Sequence, residues 1–134
     1  MAFEFIKNMF NPRNIAIIDD DEDTRNAYRR VLEKKKYKVI SCASFTEIGS
    51  LEDLNDVDLF FIDLFLKEGP SGVEIAKILR QEGFECPICF VSGKKCNLDE
   101  EHHLTSFATG LHFMQKPINP DALLRLAAEL TATI

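Results

Sequence analysis

The sequence predicts an α/β domain: a mostly parallel sheet with helices on both faces. Three observations carry this. Five apolar runs of strand length alternate with five stretches of helical spacing. The runs at 15–18, 59–62 and 88–91 are nearly continuous in apolar residues, as strands buried on both faces must be. No repeat, linker or low-complexity stretch divides the 134 residues, a length that suits one compact domain.

The elements follow in order. The first run, 15–18, leads to a helical stretch at 24–36 with Ala27, Val31 and Leu32 on one face and Lys34, Lys35 and Lys36 at its end. Cations suit the C-terminal pole of a helix dipole. The run at 39–42 is followed by a helix expected at 44–54, opened by Ser44 as a cap and carrying Phe45, Ile48, Leu51 and Leu54 three residues apart. After 59–62 comes 72–82, with Val73, Ile75, Ala76 and Leu79 inward before Gly83. The run at 88–91 precedes a strongly acidic stretch, 98–108. The last run, 111–114, leads to 120–130, with Pro120 in the first turn and Leu123, Leu126, Ala127 and Leu130 inward.

Composition excludes several function classes. The net charge is −6 and no basic block is long enough to track a phosphate backbone, so direct nucleic-acid binding is not expected. No apolar run approaches the roughly 18 residues of a membrane span, and the N-terminus lacks the pattern of a signal peptide. A cytoplasmic protein is the expectation. Cys86 and Cys89 form C-P-I-C, the spacing of half a zinc site or a redox pair. Cys42 and Cys96 are isolated, and His102 and His103 read as surface residues, so Cys89 in "PICFV" is expected to be a small buried hydrophobe.

Residues 1–13, "MAFEFIKNMFNPR", form an N-terminal extension to a main domain at 14–134. Ala2, Phe3, Phe5, Ile6, Met9 and Phe10 recur at helical spacing before Asn11-Pro12 stops the pattern. With so little positive charge it makes a poor membrane anchor. It is expected to pack on its own domain or on a partner subunit, which would allow a homodimer.

The stretch "IAIIDDDED" drives an apolar run straight into five acidic residues. Carboxylates this close raise one another's pKa unless a cation or a donor sits among them. In a doubly wound sheet, functional residues gather beyond the carboxyl ends of the strands. Asp19 and Asp20 follow the first run, Asp63 the third, Ser92 the fourth and Lys116 the fifth. Each alone reads as a turn or cap residue. Together, on parallel strands, they put three carboxylates, a hydroxyl and an ammonium at one rim. Asp21, Glu22 and Asp23 read as favourable charge at a helix N-terminus.

At these residues the chain resembles the receiver domain of two-component response regulators. The likeness runs from Asn14 to Leu130 and is anchored by "IIDDDEDTR", "LFFIDLFL", the Gly-Val-Glu of "SGVEIAKILR", "FVSGK" and "GLHFMQKPINPDAL". It implies a flavodoxin-like sheet of order 2-1-3-4-5 and phosphoryl transfer onto an aspartate. Asp63 takes the position of the phosphoacceptor, Asp19 and Asp20 that of the acid pair for Mg²⁺, with Asp63 itself and the backbone carbonyl of Phe65 as further ligands. Ser92 and Lys116 match the hydroxyl and lysine that contact the phosphoryl group. Ser92 and Phe113 match the pair that rearranges on phosphorylation, and Lys116-Pro117 matches a bond that is typically cis.

The implied partners are a histidine kinase or histidine phosphotransfer protein upstream and a protein target downstream. The chain ends soon after the fifth helix, so a stand-alone phosphoacceptor, with at most weak self-dephosphorylation, is the expectation. The receiver piece of a longer regulator or hybrid kinase is the alternative. A pseudo-receiver that binds without taking phosphate would tend to lack at least one of the five site residues. A flavin or nucleotide enzyme on this architecture would want a Gly-rich phosphate loop where this chain has acids.

Three departures from the family pattern stand out. Lys67 occupies the place, four residues past the acceptor, where the family usually has proline; it is expected in solvent. The "LFLKEGPS" loop is one residue longer before Gly72. Phe65 is apolar at a position from which a ring could shield an acyl phosphate from water, giving slow hydrolysis.

Overall fold

The structure, a computed structural model, describes residues 13–95 and 97–132. Most of the N-terminal extension therefore lies outside the described residues. Five parallel strands form one sheet: β1 (Asn14–Ile18), β2 (Lys38–Cys42), β3 (Leu59–Asp63), β4 (Ile88–Ser92) and β5 (Leu111–Gln115). Their spatial order is β2-β1-β3-β4-β5, the order expected. Among the described residues four helices accompany them: α1 (Glu22–Lys34), α2 (Gly72–Gln81), α3 (Leu98–Thr105) and α4 (Pro120–Thr131).

Alternation along the three central strands sorts side chains into two apolar layers. Ala16, Ile18, Phe60, Ile62, Ile88 and Phe90 face one side and pack with Ile75, Ala76 and Leu79 of α2 and with Leu54 and Val57. Ile15, Ile17, Leu59, Phe61, Cys89 and Val91 face the other and pack with Tyr28 and Leu32 of α1 and Leu123 and Ala127 of α4. Phe60, Phe61 and Phe90 are fully buried, each contributing about 2–3 kcal/mol of hydrophobic burial. Cys89 sits in this interior as a free thiol, pushed up to about 12 by burial.

Several expectations need correction. Residues 44–54 are two 3-10 turns, Phe45–Glu47 and Leu51–Leu54, and no α-helix. An exact three-residue repeat is the period of a 3-10 turn, whereas an α-helix drifts off it. Ile48 and Ser50 are extended between the turns, where Gly49 weakens any continuing helix. Ser50 caps the second turn through Glu52 N–H, while Ser44 bonds the Thr46 hydroxyl and caps nothing. On α1, Ala27 is exposed and Tyr28 takes the buried place beside Val31 and Leu32. Helix α3 stops at Thr105, short of 108, and buries no residue.

Candidate functional site

Parallel pairing sets the carboxyl ends of the strands in one rim. Ile18 of β1 pairs with Ile62 of β3, Asp63 with Val91 of β4, and Ser92 with Gln115 of β5. One residue past each pairing, Asp19 adjoins Asp63, and Lys116 follows Gln115. The Lys116 backbone N–H donates to the Ser92 carbonyl at 2.7 Å, extending the β4–β5 ladder into the site. The Lys116-Pro117 bond is cis.

The Lys116 ammonium donates to Asp19 Oδ2 at 2.7 Å and to Asp63 Oδ2 at 3.3 Å. Both acids are buried, at 2% and 7% exposure, so these contacts act in a weakened dielectric. Asp19 Oδ1 accepts the Asp21 N–H at 2.9 Å, and Asp63 Oδ1 accepts the Phe65 N–H at 3.1 Å. Burial first, and the neighbouring Asp19 charge, raise the Asp63 carboxyl above its ordinary value, against the Phe65 N–H and Lys116. For Lys116, burial pulls downward, but the Asp19 hydrogen bond and the two carboxylate charges carry it above its ordinary value.

Asp20 completes the cluster. Ligand oxygens of Asp19, Asp20 and Asp63 all lie within 4.8 Å of one another. Formally, three carboxylates against the one ammonium of Lys116 leave two negative charges in excess, the charge of one divalent cation. An all-oxygen set of few carboxylates, open enough for water, is the donor chemistry Mg²⁺ favours. The residues fit that ion. The Asp63–Phe65 turn fixes the Phe65 backbone at the same rim.

Asp21 stands apart from this cluster. It caps α1, accepting from Asp23 N–H at 3.3 Å and the Thr24 hydroxyl at 2.6 Å. The Thr24 bond leads in holding its carboxyl low.

Ser92 lies at the next strand end, fully buried, with its hydroxyl turned into its own loop. The Lys94 N–H donates to Ser92 Oγ at 3.0 Å, and Ser92 Oγ donates to the Lys94 carbonyl at 3.4 Å. No bond joins that hydroxyl to Asp63 among the described residues. Phe113, paired with Phe90 across β4–β5, is half-buried against the first apolar layer.

Sequence reading missed three features of this rim. The Lys94 ammonium sits 4.5 Å from the centroid of the Phe65 ring, itself 53% exposed. The Lys67 N–H donates to Asp20 Oδ2 at 3.0 Å. Tyr28, raised to about 12 by burial, lies close enough to feel the charges of Lys116, Asp19 and Asp63. The first joins two loops through space and the second uses a backbone donor, so neither leaves a trace in residue spacing. For Tyr28, an aromatic at helical spacing gives no sign of what lies above it.

Comparison with known proteins agrees with this fold. The family model described as "Response regulator receiver domain" matches residues 15–128. The transcriptional regulatory protein YvrH of Bacillus subtilis is 33% identical over 121 residues, 89% of this chain and 48% of that protein. The aerobic respiration control protein ArcA of Escherichia coli is 26% identical over 117 residues, 87% of this chain and 48% of that protein. The chain thus spans about half the length of these relatives. Among solved structures, a CheY-like receiver domain protein from Methanospirillum hungatei superposes with a TM-score of 0.77 at 24% identity, covering 92% of this chain and 96% of that one. The receiver domain of the Francisella response regulator 1452 gives 0.78 at 20% identity, with 92% and 98% covered. At these identities the structural matches speak for the fold alone.

Proposed function

The chain belongs to the response regulator receiver domain family, and from that premise we propose that it accepts a phosphoryl group on Asp63 and switches a protein-binding surface in response. Receiver domains of response regulators act between histidine kinases and downstream effectors. A phosphohistidine protein is the donor in this reading. An Asp63 carboxylate oxygen attacks phosphorus, the P–N bond to the imidazole breaks, and the leaving imidazole nitrogen takes up a proton. The product is an acyl phosphate.

The observation that carries the reading is the Lys116 ammonium held between Asp19 and Asp63 at 2.7 and 3.3 Å, with Asp20 in the same cluster. Such transfer is mostly a matter of positioning and charge stabilisation. Lys116 orients Asp63 and is placed to receive negative charge developing on the phosphoryl oxygens. Asp19, Asp20 and Asp63 would hold Mg²⁺, with the Phe65 carbonyl as a further ligand. Bound there, the ion supplies Lewis-acid stabilisation of the same charge. The Ser92 hydroxyl, now bonded to Lys94, would turn to the new acceptor, and Phe113 would follow it inward. The domain itself is a phosphoacceptor. Among the described residues no helix is long and apolar enough to cross a membrane.

A second reading concerns context. The relatives named as transcriptional regulatory proteins are about twice as long as the matched region, which supports the same receiver working as the input module of a longer regulator.

The test uses intact mass. The protein is incubated with a small acyl phosphate donor and Mg²⁺. The reading expects one added phosphoryl group in the parent and none in Asp63→Asn or with the metal chelated. An unmodified parent, or a variant that still takes phosphate, overturns it.

A further inference from the structure

Side-chain acceptors fasten the loop between β3 and α2 at three points. The Phe65 N–H on Asp63 Oδ1 ties its start, at 3.1 Å. The box between Ser71 and Glu74, each side chain bonded to the other's N–H at 3.2 Å, ties its end. The middle tie is the Lys67 N–H on Asp20 Oδ2 at 3.0 Å, which reaches 47 positions back along the chain.

Within the acidic cluster, Asp19 and Asp63 each share the Lys116 ammonium and each accept a backbone N–H from their own loop. Asp20 has neither. Among the described residues its carboxylate takes part in no ion pair, and the bond it accepts comes from another element. It is the acid most in need of a cation, and a neutral amide from the loop already stands on one of its oxygens.

We infer that the Lys67 N–H competes with a divalent cation for Asp20, so that the β3–α2 loop straps the site in its cation-free form and metal binding loosens the strap. The inference rests on the metal reading of the preceding section. An amide donor draws charge from the oxygen it bonds and holds the carboxylate toward the loop. A cation on the same carboxylate draws charge from both of its oxygens and so weakens that bond, and by linkage the cation weakens the strap as much as the strap weakens the cation. A cleft of about 220 Å³ lined by Asp20, Ala43, Ser44, Lys67 and Glu68 adjoins the bond and leaves the loop room to move. The amide, not the ammonium, is the acting group. A proline at this position, which the family pattern favours, would have no N–H to offer.

The test compares the parent, Lys67→Pro and Lys67→Ala, each as the full chain. Mg²⁺ affinity is measured by calorimetry, and amide exchange in the ¹⁵N-labelled parent by NMR with and without Mg²⁺. Loss of one solvent-exposed hydrogen bond of ordinary strength predicts binding roughly three- to tenfold tighter in Lys67→Pro. Lys67→Ala keeps the N–H and binds like the parent. In the parent, the Lys67 amide exchanges faster when Mg²⁺ is saturating, while the Ile75 amide, bonded to the Ser71 carbonyl away from the acids, keeps its rate. Equal or weaker binding by a folded Lys67→Pro overturns the inference, as does tightening in Lys67→Ala. Unchanged or greater protection at Lys67 does the same, and that measurement decides alone if the proline variant does not fold. No Mg²⁺ binding by any of the three overturns the metal reading and this inference with it.

Discussion

The ammonium of Lys94 lies over the ring of Phe65, 4.5 Å from its centroid, and so closes the loop after β4 onto the loop after β3. Each partner stands two residues beyond a site residue and gives it a backbone N–H: Phe65 to Asp63 at 3.1 Å, Lys94 to Ser92 at 3.0 Å. The two side chains therefore bridge the backbones that give the acid and the hydroxyl of the rim their N–H bonds. Cation–π contacts at exposed positions contribute about 0.5–1 kcal/mol, enough to bias a loop without locking it.

A ring held by that bridge, two residues past Asp63, predicts a long-lived acyl phosphate. Phe65→Asn removes the ring and opens a path for water, so its phosphoaspartate is expected to decay several-fold faster than the parent's when phosphoprotein is followed by intact mass. Equal or shorter persistence in the parent contradicts the shielding role.

Removing the ammonium that pairs with Asp19 and Asp63 is expected to be costly. Lys116→Met leaves Asp19 at 2% exposure without its charge partner, a loss of about 2–4 kcal/mol by denaturant unfolding at neutral pH. The sign with pH follows from the raised Lys116 value. Its stabilisation is fully present below the ordinary lysine value of 10.5 and is lost as pH climbs through the higher folded value. The gap between parent and variant should therefore narrow in strong alkali. A gap that stays constant would assign the loss to packing.

Asp63 behaves in the opposite sense. Its carboxyl is raised above 3.8 by burial, so the folded chain holds this proton more readily than the unfolded one. Its contribution is favourable while protonated and falls as pH rises from the ordinary carboxylate range through the raised value. At neutral pH, without divalent cation, Asp63→Asn is expected to be more stable than the parent by about 1 kcal/mol, a rise in Tm of roughly 3–5 °C. A lower Tm in that variant would count against a strained, charge-rich site.

Gly72 is where α2 meets Asp63. A Cβ there would lie 2.3 Å from the Asp63 carbonyl oxygen and 2.9 Å from Leu64 Cα, both backbone atoms with no room to yield. Gly72→Ala is expected to lose about 1–3 kcal/mol and to slow phosphoryl uptake by shifting Asp63. Parent-like stability with parent-like uptake would show that the helix tolerates a larger residue at its first turn.

The gathering of Asp19, Asp20, Asp63 and Lys116 was legible because buried parallel strands announce themselves as continuous apolar runs, and their carboxyl ends must share a rim. The segment 44–54 misled because Phe45, Ile48, Leu51 and Leu54 show which residues face the core, while their spacing of three belongs to 3-10 turns. Ala27 misled because a small apolar residue beside a helix stripe carries no sign of which edge is covered; Tyr28 fills that place. The Lys67–Asp20 bond was hidden for another reason. Its donor is a backbone N–H, which every residue but proline owns, so only the path of the loop reveals it.

The most direct test of the account is the address of the phosphoryl group. After treatment with a small acyl phosphate donor and Mg²⁺, borohydride reduction converts an aspartyl phosphate to homoserine, which peptide mass mapping then locates. The account predicts conversion at Asp63 and nowhere else. Conversion at Asp19, Asp20 or any other position, with Asp63 intact, would contradict it.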